Sequence, residues 1–198
     1  MANTNKNGKS FTKNLTMVAI LTAITVVLQI VALVSRPFLP FSITLSLFPI
    51  VIGAALCGPV TSSWLGFAFG VTVLLSGDAA AFLTVNIPGT IITVLAKGTL
   101  AGLAAGLIYK LASKVNGYFG VFCSAVAAPV VNTGVFLLGC KLFFMDTITS
   151  WAEAAGSPNV GSYIILSFVG INFVIELGVK MVCSPIILRL INIRKKEG

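Results

Sequence analysis

Long apolar runs separated by short polar stretches fill most of the chain. Six runs can be distinguished, with approximate bounds Leu15–Val34, Ile43–Cys57, Val60–Leu75, Ile87–Ala112, Tyr118–Phe144 and Ser162–Ile191. A helix needs roughly 20 apolar residues to cross the hydrocarbon core of a bilayer. The second and third runs are shorter than this, and the other four reach it. The pattern predicts an all-α, polytopic membrane protein with six transmembrane helices.

Proline and glycine residues mark the ends of several runs. Pro37 and Pro40 follow the first run and predict an extended loop, whereas the second run stops at Gly58-Pro59. The polar residues before the first run precede about twenty apolar residues, longer than the apolar core of a signal peptide, so we expect no cleavage there. We therefore predict an N-terminal tail (1–14), one membrane domain (15–191) and a basic tail (192–198).

Composition agrees with this class and excludes several others. Hydrophobic residues make up 57% of the chain and charged residues 9%, and mean hydropathy is +1.05. The tails and loops are too short to fold alone, so we expect any ATPase activity to come from a partner chain. The sequence has no histidine and its four cysteines are far apart. With no paired acids and no Gly-x-Ser-x-Gly motif either, we expect neither a metal site nor an enzyme.

The basic residues predict the orientation and explain the net charge of +8 without a nucleic acid partner. Nine of the thirteen form three groups, which precede the first run, follow the fourth and end the sixth: Lys6, Lys9 and Lys13; Lys110 and Lys114; Arg189, Arg194, Lys195 and Lys196. With six crossings these groups share one side, which the positive-inside rule makes cytoplasmic. Arg36 falls on the opposite side, together with acidic residues. Both termini are then cytoplasmic, and loops 36–44, 76–86 and 146–161 lie outside. Elaborate outer loops are typical of a protein that captures something from outside.

Lys97 is the first candidate functional residue within the apolar runs. It lies about 15 Å below the outer end of the fourth run, at a depth where a lysine needs a partner or water. In the sixth run, Glu176 and Lys180 are four residues apart in the order that favours pairing. If they pair, Lys97 is available to hold an anionic ligand. A Lys97–Glu176 bridge between helices is the structural alternative, and snorkelling or a contact with a partner subunit are others.

Three amides provide a second signal. Asn86, Asn132 and Asn172 all fall in the middle or outer half of the predicted bundle. Buried amides need partners, and in membranes they often bond one helix to another. Together with Lys97 and hydroxyls such as that of Thr93, they predict a small-molecule pocket between the fourth, fifth and sixth helices.

Aromatic and small residues complete the candidate set. Three phenylalanines of the outer loops could close the pocket, with interfacial anchoring as the alternative: Phe38, Phe41 and Phe82. Glycines at spacing four in the third and fourth helices predict close packing inside the bundle. Ala19 and Ala23 form a small patch on the first helix that could dock another membrane helix, although alanines are common in such helices.

The chain resembles one family in several features taken together. These are its length, six predicted helices, predicted cytoplasmic termini, Ala19-x-x-x-Ala23, a proline-rich first outer loop and the Gly58-Pro59 break. This is the substrate-binding subunit, or S component, of an energy-coupling factor (ECF) vitamin transporter. The stretches 86–89, 96–102 and 132–139 are most similar to the pantothenate branch.

The resemblance implies a mechanism. An S component in the plasma membrane of a bacterium binds a vitamin from outside, in a pocket capped by the loops after helices one and three. It docks through Ala19 and Ala23 onto a transmembrane coupling subunit and topples to release the vitamin inside. Two cytoplasmic ATPases use the ATP, and the chain itself needs no cofactor.

Pantothenate fits the predicted pocket, because it has one carboxylate, an amide and two hydroxyls. Lys97 would neutralise the carboxylate, and Asn132 and Asn172 would bind the amide and hydroxyls. An S component for another vitamin, such as riboflavin or folate, is the first alternative. A self-sufficient secondary transporter or channel is the second, although the two halves of the chain show no convincing repeat.

Overall fold

The computed structural model describes residues 2–35 and 46–196. These residues form helices and turns, with no strand among them. The α-helices are α1 (Ala2–Ser35), α2 (Leu47–Cys57), α3 (Pro59–Leu75), α4 (Ala80–Leu83), α5 (Ile87–Ala112), α6 (Gly117–Phe143), α7 (Met145–Ala154), α8 (Val160–Ile164) and α9 (Gly170–Lys196). A π-helical turn, Ile165–Val169, joins α8 to α9. The prediction of an all-α chain is confirmed.

The apolar runs correspond to α1, α2, α3, α5, α6 and the α8–α9 segment, but the structure differs from the prediction at the first and last helices and in two predicted loops. Helix α9 extends to Lys196, beyond the predicted end of the sixth run at Ile191. Helix α1 begins at Ala2, well before the apolar run, because the polar lead contains no proline to stop it. Two stretches predicted as outer loops contain short helices, α4 and α7. Helix α7 forms because Ile148 and Ala152, one turn apart, are buried on one face.

Membrane-spanning character is strongest in three segments. Asn14–Val34, Ile87–Ala112 and Gly117–Phe143 are long and apolar enough to cross a bilayer, and α2 and α3 are shorter apolar helices. The apolar surface of α1 faces outward over most of its length, as expected where lipid replaces a protein neighbour. The six-span count and the orientation of the termini stay predictions.

Close packing between α3 and α5 depends on glycine. A Cβ atom added to Gly66 would meet the carbonyl oxygen of Gly98, and one added to Gly98 would meet the carbonyl oxygen of Gly66. Further along, a Cβ atom on Gly102 would meet the carbonyl oxygen of Ser62. The backbones therefore touch over several turns, which confirms that these glycines pack the bundle internally.

Helix α2 lies at the centre of the bundle and contacts α1, α3, α5, α6 and α9. It is apolar on nearly all sides because it has protein neighbours on nearly all sides. Helix α1 packs against α2 and α3 and lies at the bundle edge. Its buried face consists of Leu21, Thr25 and Gln29, at one-turn intervals.

Candidate functional site

Helices α5 and α6 bring Lys97 and Phe136 together. The Nζ atom of Lys97 lies 4.9 Å from the centroid of the Phe136 ring, within the range of a cation–π interaction. Lys97 is partly buried, so its charge is not dispersed by full hydration. The ring face stabilises the positive charge of the ammonium group.

One turn away on each helix lies a polar atom without a partner. Thr93 precedes Lys97 by four residues on α5, and Asn132 precedes Phe136 by four residues on α6, so each pair shares a helix face. Among the described residues, neither Thr93 Oγ1 nor Asn132 Oδ1 makes a hydrogen bond, although both atoms are buried. An unsatisfied buried polar group costs about 1–3 kcal/mol. Such groups are characteristic of a site that a ligand or water completes.

Gly139 explains how Thr93 fits between the two helices. A Cβ atom at Gly139 would collide with the side chain of Thr93, so α6 needs a glycine opposite this threonine. Thr93 is only 4% exposed, and its hydroxyl is held at the α5–α6 interface. The sequence indicated the polar residues of the two helices but not this glycine contact, which depends on their register.

Phe136 belongs to an aromatic cluster that also contains Phe82, Phe144 and Trp151. The ring centroid of Phe82 lies 5.6 Å from that of Phe136, 5.0 Å from that of Phe144 and 5.6 Å from that of Trp151. All three contacts are edge-to-face, which is a favourable geometry for aromatic pairs. Phe82 belongs to α4 and Trp151 to α7, so these two short helices meet beside Phe136, which contacts Lys97. Sequence reasoning named Phe82 but did not include Phe144 or Trp151.

Asn86 has a local structural role. Its Oδ1 atom accepts a hydrogen bond from the backbone N–H of Gly89 at 2.9 Å, and Asn86 is the N-cap of α5. An asparagine cap is worth about 1 kcal/mol. The cap fixes the start of the helix that carries Thr93 and Lys97. Contact between Asn86 and a substrate stays a prediction.

Other predicted residues are placed less completely. Phe41 lies outside the described residues, and so do the side chains of Asn172 and Glu176 on α9. Lys180 is 1% exposed, which agrees with a paired lysine inside the bundle without identifying the partner. The Glu176–Lys180 pair and the Lys97–Glu176 bridge therefore both stay predictions.

Ala19 and Ala23 lie on the exposed surface of α1. The opposite face of this helix, with Leu21 and Thr25, packs into the bundle. Both alanines are therefore accessible to another membrane helix, and their small side chains would let its backbone come close.

Gln29 was missed by the sequence interpretation. Its Nε2 atom donates a hydrogen bond to Asp78 Oδ2 at 3.2 Å, and its Oε1 atom accepts one from the hydroxyl of Ser46 at 3.0 Å. Gln29 is 4% exposed and Ser46 is fully buried. A glutamine within an apolar run was the available signal, because a polar side chain inside a membrane helix normally has a specific partner.

A separate groove of about 430 Å³ lies between α1 and α3, lined in part by Ile30, Trp64 and Leu75. Neither Lys97 nor Asn132 lines it, and the described residues of its lining include no charged side chain. It offers apolar surface rather than a place for an anionic ligand, so we place the candidate site at Lys97.

Comparison with known proteins gives one match. The model of the family described as the substrate-specific component of ECF transporters matches residues 13–188. No curated protein and no solved structure gives a significant match. The matched range includes every described residue of the candidate site.

Proposed function

The chain belongs to the family of substrate-specific components of ECF transporters, and from this membership we propose that it captures a vitamin, with pantothenate favoured. As a member, it is a membrane-embedded substrate-binding subunit that works with an ECF module. The family consists of transporter components and not of enzymes, in agreement with the expected lack of catalysis.

The contact between Lys97 and Phe136, with the unsatisfied atoms of Thr93 and Asn132 one turn away, is the observation that carries the proposal. Lys97 supplies a positive charge in a partly buried environment, where a charged hydrogen bond to a carboxylate is stronger than in water. Asn132 Oδ1 is an acceptor, so it calls for a ligand that donates a hydroxyl or amide hydrogen. Thr93 Oγ1 can donate or accept.

Pantothenate has the groups that this site requires. Its carboxylate would lie at Lys97, and one of its hydroxyls or its amide N–H would donate to Asn132. We propose that Asn172 and Glu176 of α9, Asn86 at the start of α5 and Phe41 of the first outer loop complete the pocket. Phe82 would cover it from the side of α4.

The geometry of the aromatic cluster favours pantothenate over a vitamin with a flat ring system. The Phe82 contacts have interplanar angles of 89°, 73° and 69°, so these rings contact one another edge-to-face. We expect a site for a flavin or pterin to present aromatic faces on which the flat ring system stacks. Riboflavin or folate would therefore require the cluster to rearrange.

Delivery of the vitamin would use partners. We propose that both termini are cytoplasmic in a bacterial plasma membrane, and that Ala19 and Ala23 dock onto the transmembrane coupling subunit of the module. Two cytoplasmic ATPase subunits would supply the energy. The exposure of both alanines on α1 supports this role. Family membership favours a subunit of this kind over a self-sufficient transporter or channel.

Equilibrium binding of tritiated pantothenate to the purified protein tests the proposal. Saturable binding at micromolar ligand or below is expected. Lys97→Ala should weaken it about ten- to a hundredfold, the value of one charged hydrogen bond. Lys110→Ala is the matched control, because Lys110 lies on the same helix, is exposed and is remote from Phe136. Absence of saturable binding by the wild-type protein would exclude pantothenate. Loss of the folded protein in Lys97→Ala would favour the structural bridge.

A further inference from the structure

We infer that Gln29 is a positioning residue that ties α1 to the lid segment, residues 76–86, and thereby holds Phe82 against Phe136 beside Lys97. Helix α1 also carries Ala19 and Ala23. The helix that contacts the coupling subunit would therefore also hold the lid segment over the site. The effect on substrate release rests on the function proposed above, whereas the effect on the position of Phe82 does not.

The first part of the connection is the buried amide of Gln29. It joins the lid segment, through Asp78, to the residue that precedes α2, through Ser46. Ser46 is the N-cap residue of α2, and Asp78 lies three residues after the end of α3. One side chain on α1 thus links two residues, Ser46 and Asp78, that come from different parts of the sequence. Replacing it with an apolar residue would break both hydrogen bonds at once.

The second part is the lid segment itself, which is continuously hydrogen bonded. The N–H groups of Phe82 and Leu83 both donate to the carbonyl oxygen of Ala79, at 3.1 and 3.0 Å, and the N–H of Asn86 donates to that of Phe82 at 3.0 Å. Gly77 makes the turn into this segment with a φ of +78°, which glycine adopts at little cost. A displacement of Asp78 would therefore move Phe82 as well.

The third part is the contact between the lid segment and the site. Phe82 packs edge-to-face on Phe136, and Phe136 lies under Lys97. Trp151 contacts the same Phe82 ring, so it reports on the position of that ring. The connection runs from Gln29 through Asp78 and Phe82 to Phe136, and each step is a contact in the structure.

Helix α1 can transmit a displacement because it is one uninterrupted helix from Ala2 to Ser35. Gln29 lies about 9 Å along the axis from Ala23, at 1.5 Å per residue. A partner that shifts or tilts α1 at the alanines therefore moves the amide of Gln29 relative to Asp78. We expect such a shift to loosen Phe82 and to favour release of the substrate.

Fluorescence of Trp151 tests the connection without any ligand. The chain has two tryptophans, so Trp64→Phe leaves Trp151 as the single reporter. In that background, Gln29→Leu should raise the acrylamide quenching constant of Trp151 roughly twofold, because a loosened lid opens locally more often. Thr22→Val is the control on α1, since the Thr22 hydroxyl bonds only within its own helix, to the carbonyl of Val18 at 2.7 Å. Equal quenching in the two variants would overturn the inference.

A double-mutant cycle keeps the test decisive if Gln29→Leu is unstable. Asp78→Ala breaks the same bond from the lid side, so the two changes should be non-additive, with the double variant less affected than the sum of the two single variants. Additive effects on Trp151 quenching would exclude the coupling. The dissociation rate of bound tritiated pantothenate should rise about tenfold in Gln29→Leu, the effect of losing one strong hydrogen bond. If the wild type binds no pantothenate, the proposed substrate fails, while the quenching experiment still decides the role of Gln29.

Discussion

Lys97 on α5 and Phe136 on α6 form a cation–π contact of 4.9 Å inside the helix bundle. The two residues are far apart in the sequence, and their contact depends on the antiparallel packing of the two helices. It places a positive charge near a buried threonine hydroxyl, an unsatisfied asparagine oxygen and an aromatic cluster to which the short helices α4 and α7 contribute. This arrangement fits an anionic ligand that also carries hydrogen-bond donors.

Phe136→Leu should weaken pantothenate binding while leaving the fold intact. Leucine keeps most of the apolar volume but removes the ring face, and a cation–π contact contributes about 0.5–2 kcal/mol. We expect affinity to fall by roughly two- to thirtyfold in an equilibrium binding measurement. Phe119→Leu is the control, because Phe119 lies on the same helix and is 47% exposed. An equal effect of both variants would show that the ring of Phe136 has no specific role.

Thr93→Val should stabilise the ligand-free protein. Valine has the same shape but no hydroxyl, so it relieves an unsatisfied buried group, and we expect a gain of about 1 kcal/mol in the free energy of unfolding. The same change should lower the affinity for the ligand. Thermal unfolding in detergent, with and without pantothenate, measures both effects.

Thr90→Val is the comparison variant, and we expect it to change the free energy of unfolding in the opposite direction. Thr90 is equally buried, but its hydroxyl donates to the carbonyl oxygen of Asn86 at 2.7 Å. Its loss should therefore destabilise the protein by about 1 kcal/mol. If Thr93→Val lowers the melting temperature as much as Thr90→Val does, the Thr93 hydroxyl has a partner in the ligand-free protein.

Gly98→Ala should destabilise the bundle by about 1–3 kcal/mol, the usual range for overpacking. The added methyl group would press on the backbone of Gly66 in α3, which cannot move aside as a flexible side chain could. Gly134→Ala on α6 is the control, because nothing lies within 4 Å of a Cβ atom there. In thermal unfolding, Gly98→Ala should lower the melting temperature, and Gly134→Ala should leave it unchanged. A neutral Gly98→Ala would contradict the close α3–α5 packing.

Ala19→Leu should impair assembly with the ECF module but not substrate binding. A large side chain at the exposed patch of α1 would keep another helix backbone at a distance. Co-purification with the coupling subunit and both ATPases should fall several-fold, while pantothenate affinity stays unchanged. Ile20→Leu is the control, since Ile20 is 49% exposed on the same helix and already large. If Ala19→Leu assembles normally with the module, this face of α1 is not part of the docking surface.

The lengths and breaks of the apolar runs determined the membrane class and most helix bounds. A membrane helix satisfies its own backbone hydrogen bonds and needs an apolar surface, so its signal is local and can be read without neighbours. The glycine spacing likewise indicated close packing, because only small residues let two backbones touch. Family membership agrees with this interpretation. The short helices α4 and α7 escaped prediction because tertiary contacts stabilise them more than their own sequence does.

The tertiary structure alone decided which polar and aromatic side chains meet. Lys97 and Asn132 could be selected from the sequence because polar groups are rare in apolar runs, but the contacts of Lys97 with Phe136 and of Thr93 with Gly139 appear only when the two helices pack. The contacts of Trp151 with Phe82 and of Gln29 with Asp78 join segments far apart in the chain. Such contacts depend on the register of one helix against another and on side-chain direction. The pattern of residues along a single helix specifies neither of these.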